Sequence, residues 1–207
     1  MSKDITRRNG RRANRREVRK TVLLVTNGEK TERLYLEELK RRTAPNDVAV
    51  TLGRPIPGDP MTLMRKLEYQ HATSAFDEVW IVVDHDGEDR SEFLAECLRR
   101  SRPAKRRGKG TMFYGVVSLP CFEVWLIAHY EQVGNFQDQN EAQQRYRQLT
   151  GLTSKEQKSL PGSFPWEEIG SACERSRLKG VAEPEVNTQG PHPSTTMPHL
   201  VRSLGLV

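Results

Sequence analysis

The chain has little cysteine and no long apolar run. Its three cysteines, Cys97, Cys121 and Cys173, stand far apart, with no CxxC spacing and no accompanying histidine pair. That spacing suggests neither a disulfide framework nor a zinc site, and leaves core or surface thiols. No stretch approaches the roughly 18 consecutive apolar residues of a membrane-spanning helix. The amino terminus is basic and lacks the apolar segment of a secretory leader. The expectation is therefore a cytoplasmic protein with no membrane partner. There is no Walker A motif, so ATP hydrolysis is not expected of this chain, and there is no internal repeat.

What is present begins with length and charge. A chain of 207 residues suits one domain with a real core. Its formal charge of +6 is unevenly spread. Residues 1–20 hold nine lysines and arginines against Asp4 and Glu17, a local +7 that leaves the remainder near −1. Without apolar periodicity this stretch reads as a basic disordered tail, fitted to phosphate backbones or simply to solubility. A second basic run over 99–109 lies within the folded part, and Pro103 and Gly108 mark it as a loop. Arg102, Lys105, Arg106 and Arg107 are its candidate nucleic-acid contacts.

Two apolar segments each run into a cluster of acidic residues. One is Thr21-Val22-Leu23-Leu24-Val25-Thr26, followed by Asn27-Gly28-Glu29-Lys30-Thr31-Glu32; the other is Val79-Trp80-Ile81-Val82-Val83, followed by Asp84-His85-Asp86-Gly87-Glu88. Continuous β-branched runs mark strands buried on both faces, as in a parallel sheet, and ligands of such sheets gather beyond the strands' carboxyl ends. Carboxylates brought together there repel unless a hard cation neutralises them, and Mg²⁺ is usually held by one or two carboxylates with waters and phosphates. The pattern points to a metal-dependent phosphodiester site. If the chain stays extended past Val83, alternation puts Asp84 and Asp86 on one side with His85 opposite, and Gly87 allows a turn. The plainer alternative is that these aspartates only cap the next helix or form an Asx-turn.

The remaining pattern alternates. It predicts strands over 21–26, 47–52, 79–83 and 111–117, with helices over 32–42, 61–73 and 91–100 between them. Thr31 is the candidate cap of the first helix, and Asp59-Pro60 opens the second. Beyond Ser118 the chain turns helical, with segments over 121–131, 140–149 and 166–178 and a short apolar helix after Ser194 or Thr195. The fold class is α/β, a mostly parallel sheet flanked by helices, with a helical portion over about 118–207 of a single domain spanning 21–207.

These residues also carry a resemblance. Gly28-Glu29-Lys30-Thr31-Glu32 with Tyr35, the strand ending in Asp84-His85-Asp86, the segment Ser118-Leu119-Pro120-Cys121-Phe122-Glu123-Val124-Trp125-Leu126 and the late Pro193-Ser194-Thr195 together resemble the RloB family. The Pro-Cys-Phe-Glu-x-Trp-Leu segment is the most specific part. The resemblance implies a Toprim-like core, an association with bacterial restriction and anti-phage defence, and a partner ATPase encoded nearby. It also implies carboxylates that hold Mg²⁺ or Mn²⁺ at a scissile phosphate of DNA or RNA. One departure stands out, because the family usually has an acidic residue where this chain has Asn27, whose amide brings no charge.

Roles follow as expectations. Asp84 and Asp86 bind the cation, Glu29 is a ligand or general base, and Glu32 is second choice for that place. Glu123, a charge in an otherwise apolar helix, is a third site carboxylate or a residue at the helix start. Lys30 contacts phosphate, and His85 is a further candidate. His71 and His129 are assigned to structure, Phe122 and Trp125 to the core. Two functions stay open: a Mg²⁺-dependent Toprim-type nuclease of abortive defence, and a non-catalytic nucleic-acid-binding or sensor subunit.

Overall fold

The computed structural model describes residues 19–102, 110–153, 156 and 159–207. The basic stretch over 1–18 and the candidates Lys105, Arg106 and Arg107 lie outside the described residues.

Four strands, β1 (Lys20–Thr26), β2 (Val48–Leu52), β3 (Glu78–Asp84) and β4 (Met112–Leu119), run parallel, and β5 (Ser194–Thr195) pairs antiparallel with β4. The order across the sheet is β2-β1-β3-β4-β5. Helices α1 (Thr31–Arg42), α2 (Pro60–Gln70) and α3 (Ser91–Arg100) fill the crossovers. After β4 come α4 (Glu123–Ala128), α5 (Gln139–Thr150), α6 (Ile169–Arg175) and, behind β5, α7 (Met197–Ser203).

Strands β1 and β3 bury both faces by strict alternation. Val22 and Leu24 of β1, with Trp80 and Val82 of β3, face a core that includes Tyr35, Leu36 and Leu39 of α1 and all the apolar residues of α4. Leu23, Val25, Val79, Ile81 and Val83 face the opposite core, built from Leu63, Met64 and Leu67 of α2 and Phe93, Leu94 and Cys97 of α3. A period of two in continuous apolar strands thus divides each strand between two layers of helices. Gly115 in β4 lets α3 lie close, because a Cβ there would come within 2.7 Å of Leu94 and 2.8 Å of Phe93.

The local signals explain most boundaries. Asp59 caps α2 through its side chain, accepting from the Thr62 N–H at 2.9 Å, with Pro60 in the first turn. The predicted cap Thr31 is instead the first, buried residue of α1, and Lys30 holds the cap position without a side-chain hydrogen bond. The helix expected over 121–131 is shorter, and the one over 166–178 divides into a 3₁₀ turn at Trp166–Glu168 and α6. Ser194 and Thr195 form β5, and the Thr195 hydroxyl accepts from the Met197 N–H at 3.2 Å at the start of α7. Lys20, placed in the tail by composition, belongs to β1, where its ammonium meets Glu78 at 3.3 Å and Ser203 Oγ at 2.8 Å. No helix among the described residues is long and apolar enough to cross a membrane.

Strand order reverses at β1 and β3: the chain leaves β1 toward β2 on one side and leaves β3 toward β4 on the other. Loops after these neighbouring strands diverge to opposite faces and open a crevice beyond the carboxyl ends. Thr26 of β1 pairs with Val82, and Asp84 with Ser118 of β4, so both acidic clusters emerge into this crevice.

Candidate functional site

A cavity of about 420 Å³ occupies the crevice. It is lined by Gly28, Glu29, Lys30, Thr31 and Glu32 from the β1–α1 junction and by Asp84 and Asp86 from the end of β3. Cys121, Phe122 and Glu123 from the start of α4, and Gln139 and Gln143 from α5, complete it. Five of the predicted residues, Glu29, Glu32, Asp84, Asp86 and Glu123, therefore share one cavity with Lys30.

Asp84 is its electrostatic centre. Its Oδ1 is shielded from solvent and has no hydrogen-bond partner. Burial first, then the charges of Glu32, Glu123 and Asp86, push its carboxyl well above the usual carboxylate range, and the Glu32 carboxyl lies within hydrogen-bonding reach. A buried acid among acids with one orphaned oxygen is an arrangement that a cation would relieve. No three His, Cys, Asp or Glu side chains among the described residues are gathered as a ready metal cage. The donor set fits Mg²⁺ bound by one or two carboxylates directly and by others through water, with oxygen donors suited to a hard ion.

Glu32 owes its place to Gly28. A Cβ built at Gly28 would lie 2.2 Å from the Glu32 carboxyl carbon and 2.3 and 2.4 Å from its oxygens, so the side chain folds back over a bare backbone. The Gly28 N–H is held by the Thr26 hydroxyl at 2.9 Å. Glu29 also lines the cavity but is exposed, and it is absent from the charges that shift Asp84. Glu32, ranked second from sequence, is the acid that meets Asp84.

Asp86 reaches the cavity by a turn. Strand β3 ends at Asp84, Asp86 has φ 51° and Gly87 φ 75°, so the extended alternation expected for Asp84 and Asp86 does not hold. Two successive left-handed residues swing the second carboxylate round, a conformation that Asp tolerates better than most residues.

Glu123 begins α4, whose following residues Val124, Trp125, Leu126, Ile127 and Ala128 are all buried. An aromatic cluster sets this helix against α1. Tyr35 lies one turn beyond Glu32 and packs edge-on to Phe122 at 5.6 Å and Trp125 at 6.2 Å between centroids, and its hydroxyl meets His129 Nε2 at 2.9 Å. His129 Nδ1 meets the Pro165 carbonyl at 3.2 Å, and burial lowers this imidazole to about 4. His129, Trp125 and Phe122 thus have the structural roles expected of them.

The other candidates lie elsewhere. Asn27 donates its amide to the Gly58 carbonyl at 3.4 Å and is not among the cavity's lining residues. Arg102 bridges Thr111 beside the start of β4, whereas Asp84 pairs near that strand's end. Seven residues along the strand separate the two levels, about 23 Å. His85 lines a neighbouring cavity. Gln139 and Gln143 are the lining residues that the sequence reading passed over; their i, i+4 spacing puts them on one face of α5.

Fold and site together define a mixed α/β domain with a carboxylate-lined cavity at the switch point of a mostly parallel sheet. Its membership is settled by a family comparison: a model described as RloB-like protein matches residues 22–204, and the chain belongs to that family. No curated protein and no solved structure matches it.

Proposed function

We propose that the chain is a Mg²⁺-dependent, Toprim-like nuclease that hydrolyses phosphodiester bonds of DNA or RNA. The observation that carries this reading is Asp84: a buried carboxyl with an unpartnered oxygen, in contact with Glu32 and flanked by Asp86 and Glu123, at the switch point of the sheet. Asp84 and Asp86, with Glu32 and Glu123, would hold the cation. A bound Mg²⁺ or Mn²⁺ supplies Lewis-acid polarisation of the phosphoryl group and lowers the pKa of water.

The chain's own groups divide the rest of the work. Lys30, exposed in the cavity wall, sets its ammonium against a non-bridging phosphoryl oxygen. Glu29, solvent-facing in the same wall, accepts the proton of the attacking water as its oxygen bonds to phosphorus and the P–O bond to the leaving group breaks. Resemblance to the RloB family supports placing this activity in anti-phage defence, with a separate ATPase as partner.

One observation favours a second reading. The position that usually carries an acid in this family is Asn27, and its amide is engaged with Gly58 rather than with the cavity. A non-catalytic nucleic-acid-binding or sensor subunit would retain the cavity for binding alone. Purified protein incubated with plasmid DNA, single-stranded DNA and bulk tRNA, in Mg²⁺ and in EDTA, separates the two. Cleavage should require the divalent cation and vanish in Asp84→Ala/Asp86→Ala. Cleavage that survives the double substitution removes the proposed site, and binding without cleavage, even with the partner ATPase, assigns the second reading.

A further inference from the structure

A second cavity, also about 420 Å³, adjoins the first and shares Asp86 and Gln139 with it. Its remaining wall is His85, Gly87, Pro120, Gln137, Asp138, Asn140 and His192. The volume lies within the range of small-molecule sites. Among the described residues that line it none is lysine or arginine, while Asp86 and Asp138 add negative charge. A phosphate is therefore a poor occupant. Flat rings, a proline and the amides of Gln137, Gln139 and Asn140, each able to donate and accept, suit a neutral heteroaromatic ring.

His85 is pre-set for such a ligand. The Arg90 N–H donates to Gln189 Oε1 at 2.9 Å, which fixes the orientation of that amide. Gln189 Nε2 then faces His85 Nε2 at 3.2 Å and donates to it, so the ring proton sits on Nδ1.

We propose that this cavity takes one unpaired nucleobase next to the phosphate held at the carboxylates, with His85, His192 and Asn140 as its contacts. This rests on the nuclease reading for the neighbouring phosphate. A base inside a duplex is not free to enter, so single strands, loops or flipped nucleotides are the preferred substrate. Stacking one base is commonly worth a tenfold change in affinity or more.

The test is fluorescence anisotropy with the full chain in EDTA and in Mg²⁺, using the non-cleaving Asp84→Asn background where turnover interferes. A labelled single-stranded oligonucleotide should bind about tenfold more tightly than its duplex. Asn140→Ala and His192→Ala, each with an unchanged melting temperature, should each lose about tenfold on the single strand and little on the duplex. A series of strands with one abasic position leaves the protein untouched, and one position should reproduce the loss and make the variants equal to wild type. A flat abasic series, or variants that bind like wild type, overturns the subsite, and Mg²⁺-dependent cleavage in that case leaves the nuclease reading standing. The predicted losses without cleavage of any substrate keep the subsite and remove the nuclease. No binding of nucleic acid removes both.

Discussion

Gly28→Ala separates site geometry from stability. Gly28 has no positive φ that would strain an alanine, but the new Cβ would stand 2.2 Å from the Glu32 carboxyl carbon, where ordinary contact begins at 3.4 Å. The carboxylate must retreat by about 1.2 Å, and because it ends a flexible side chain it can do so. The stability cost is small, and it is offset by the 0.4–1 kcal/mol, approximately, that alanine contributes by restricting the unfolded chain. Urea unfolding should therefore place the variant within about 1 kcal/mol of wild type. Catalysis should respond differently, because displacing a site group by about 1 Å commonly costs on the order of 100-fold in rate. Initial rates of Mg²⁺-dependent cleavage should fall by about that factor. Gly28→Ala/Glu32→Gln should be no slower than Glu32→Gln alone, since both changes remove the same carboxylate. Full activity in Gly28→Ala would refute the claim that Glu32 works with Asp84, and an additive double variant would show that Gly28 acts by another route.

Three further outcomes follow from the same structure. Because the Asp84 pKa is raised in the fold, its contribution is most favourable below the unfolded value near pH 4 and is lost as pH rises through the folded value. At neutral pH in EDTA, Asp84→Asn should raise the Tm, and it should abolish the Tm increase that Mg²⁺ or Mn²⁺ gives the wild type; a lower Tm in EDTA would contradict the electrostatic reading. His129 has the opposite sign. Its pKa falls from 6.5 to about 4 on burial, so stability is fully present above pH 6.5 and declines by about 3 kcal/mol toward pH 4. Urea unfolding across that window in the Asp84→Asn background should show this slope, and His129→Gln should flatten it. The cysteines are all buried, with Cys97 pushed up to about 12, Cys173 to about 11, and Cys121 raised by burial and by Glu123. A thiol-specific chromogenic disulfide at pH 8 should modify none in the native protein and three after denaturation.

Sequence legibility followed the range of the interactions. Strands β1 and β3 were visible because double burial demands unbroken apolar runs, and α3 coincides with the predicted 91–100 because its apolar positions recur at helical spacing. Strand β5 was hidden. Two hydroxyl residues before an apolar helix read as a cap, and only a contact 77 residues away, Ser118 Oγ to Thr195 Oγ1 at 2.7 Å, reveals a strand. At the site, Asp84 was legible from its strand, whereas nothing in the local pattern showed that Glu32, rather than Glu29, is the acid that meets Asp84. Once α1 starts at Thr31, Glu32 is the acid able to fold over Gly28. Asp86 arrives through a left-handed turn that alternation cannot foresee. Gln139 and Gln143 carried no signal beyond their spacing in a polar helix.

The central claim is that the carboxylates of two distant segments form one cation site, and anomalous scattering from crystals soaked in Mn²⁺ tests it most directly. A peak beside Asp84 Oδ1, within reach of Glu32 or Glu123 and lost in Asp84→Asn, is the predicted result. Ordered crystals with no peak in that cavity, or with one that persists in Asp84→Asn, would contradict it.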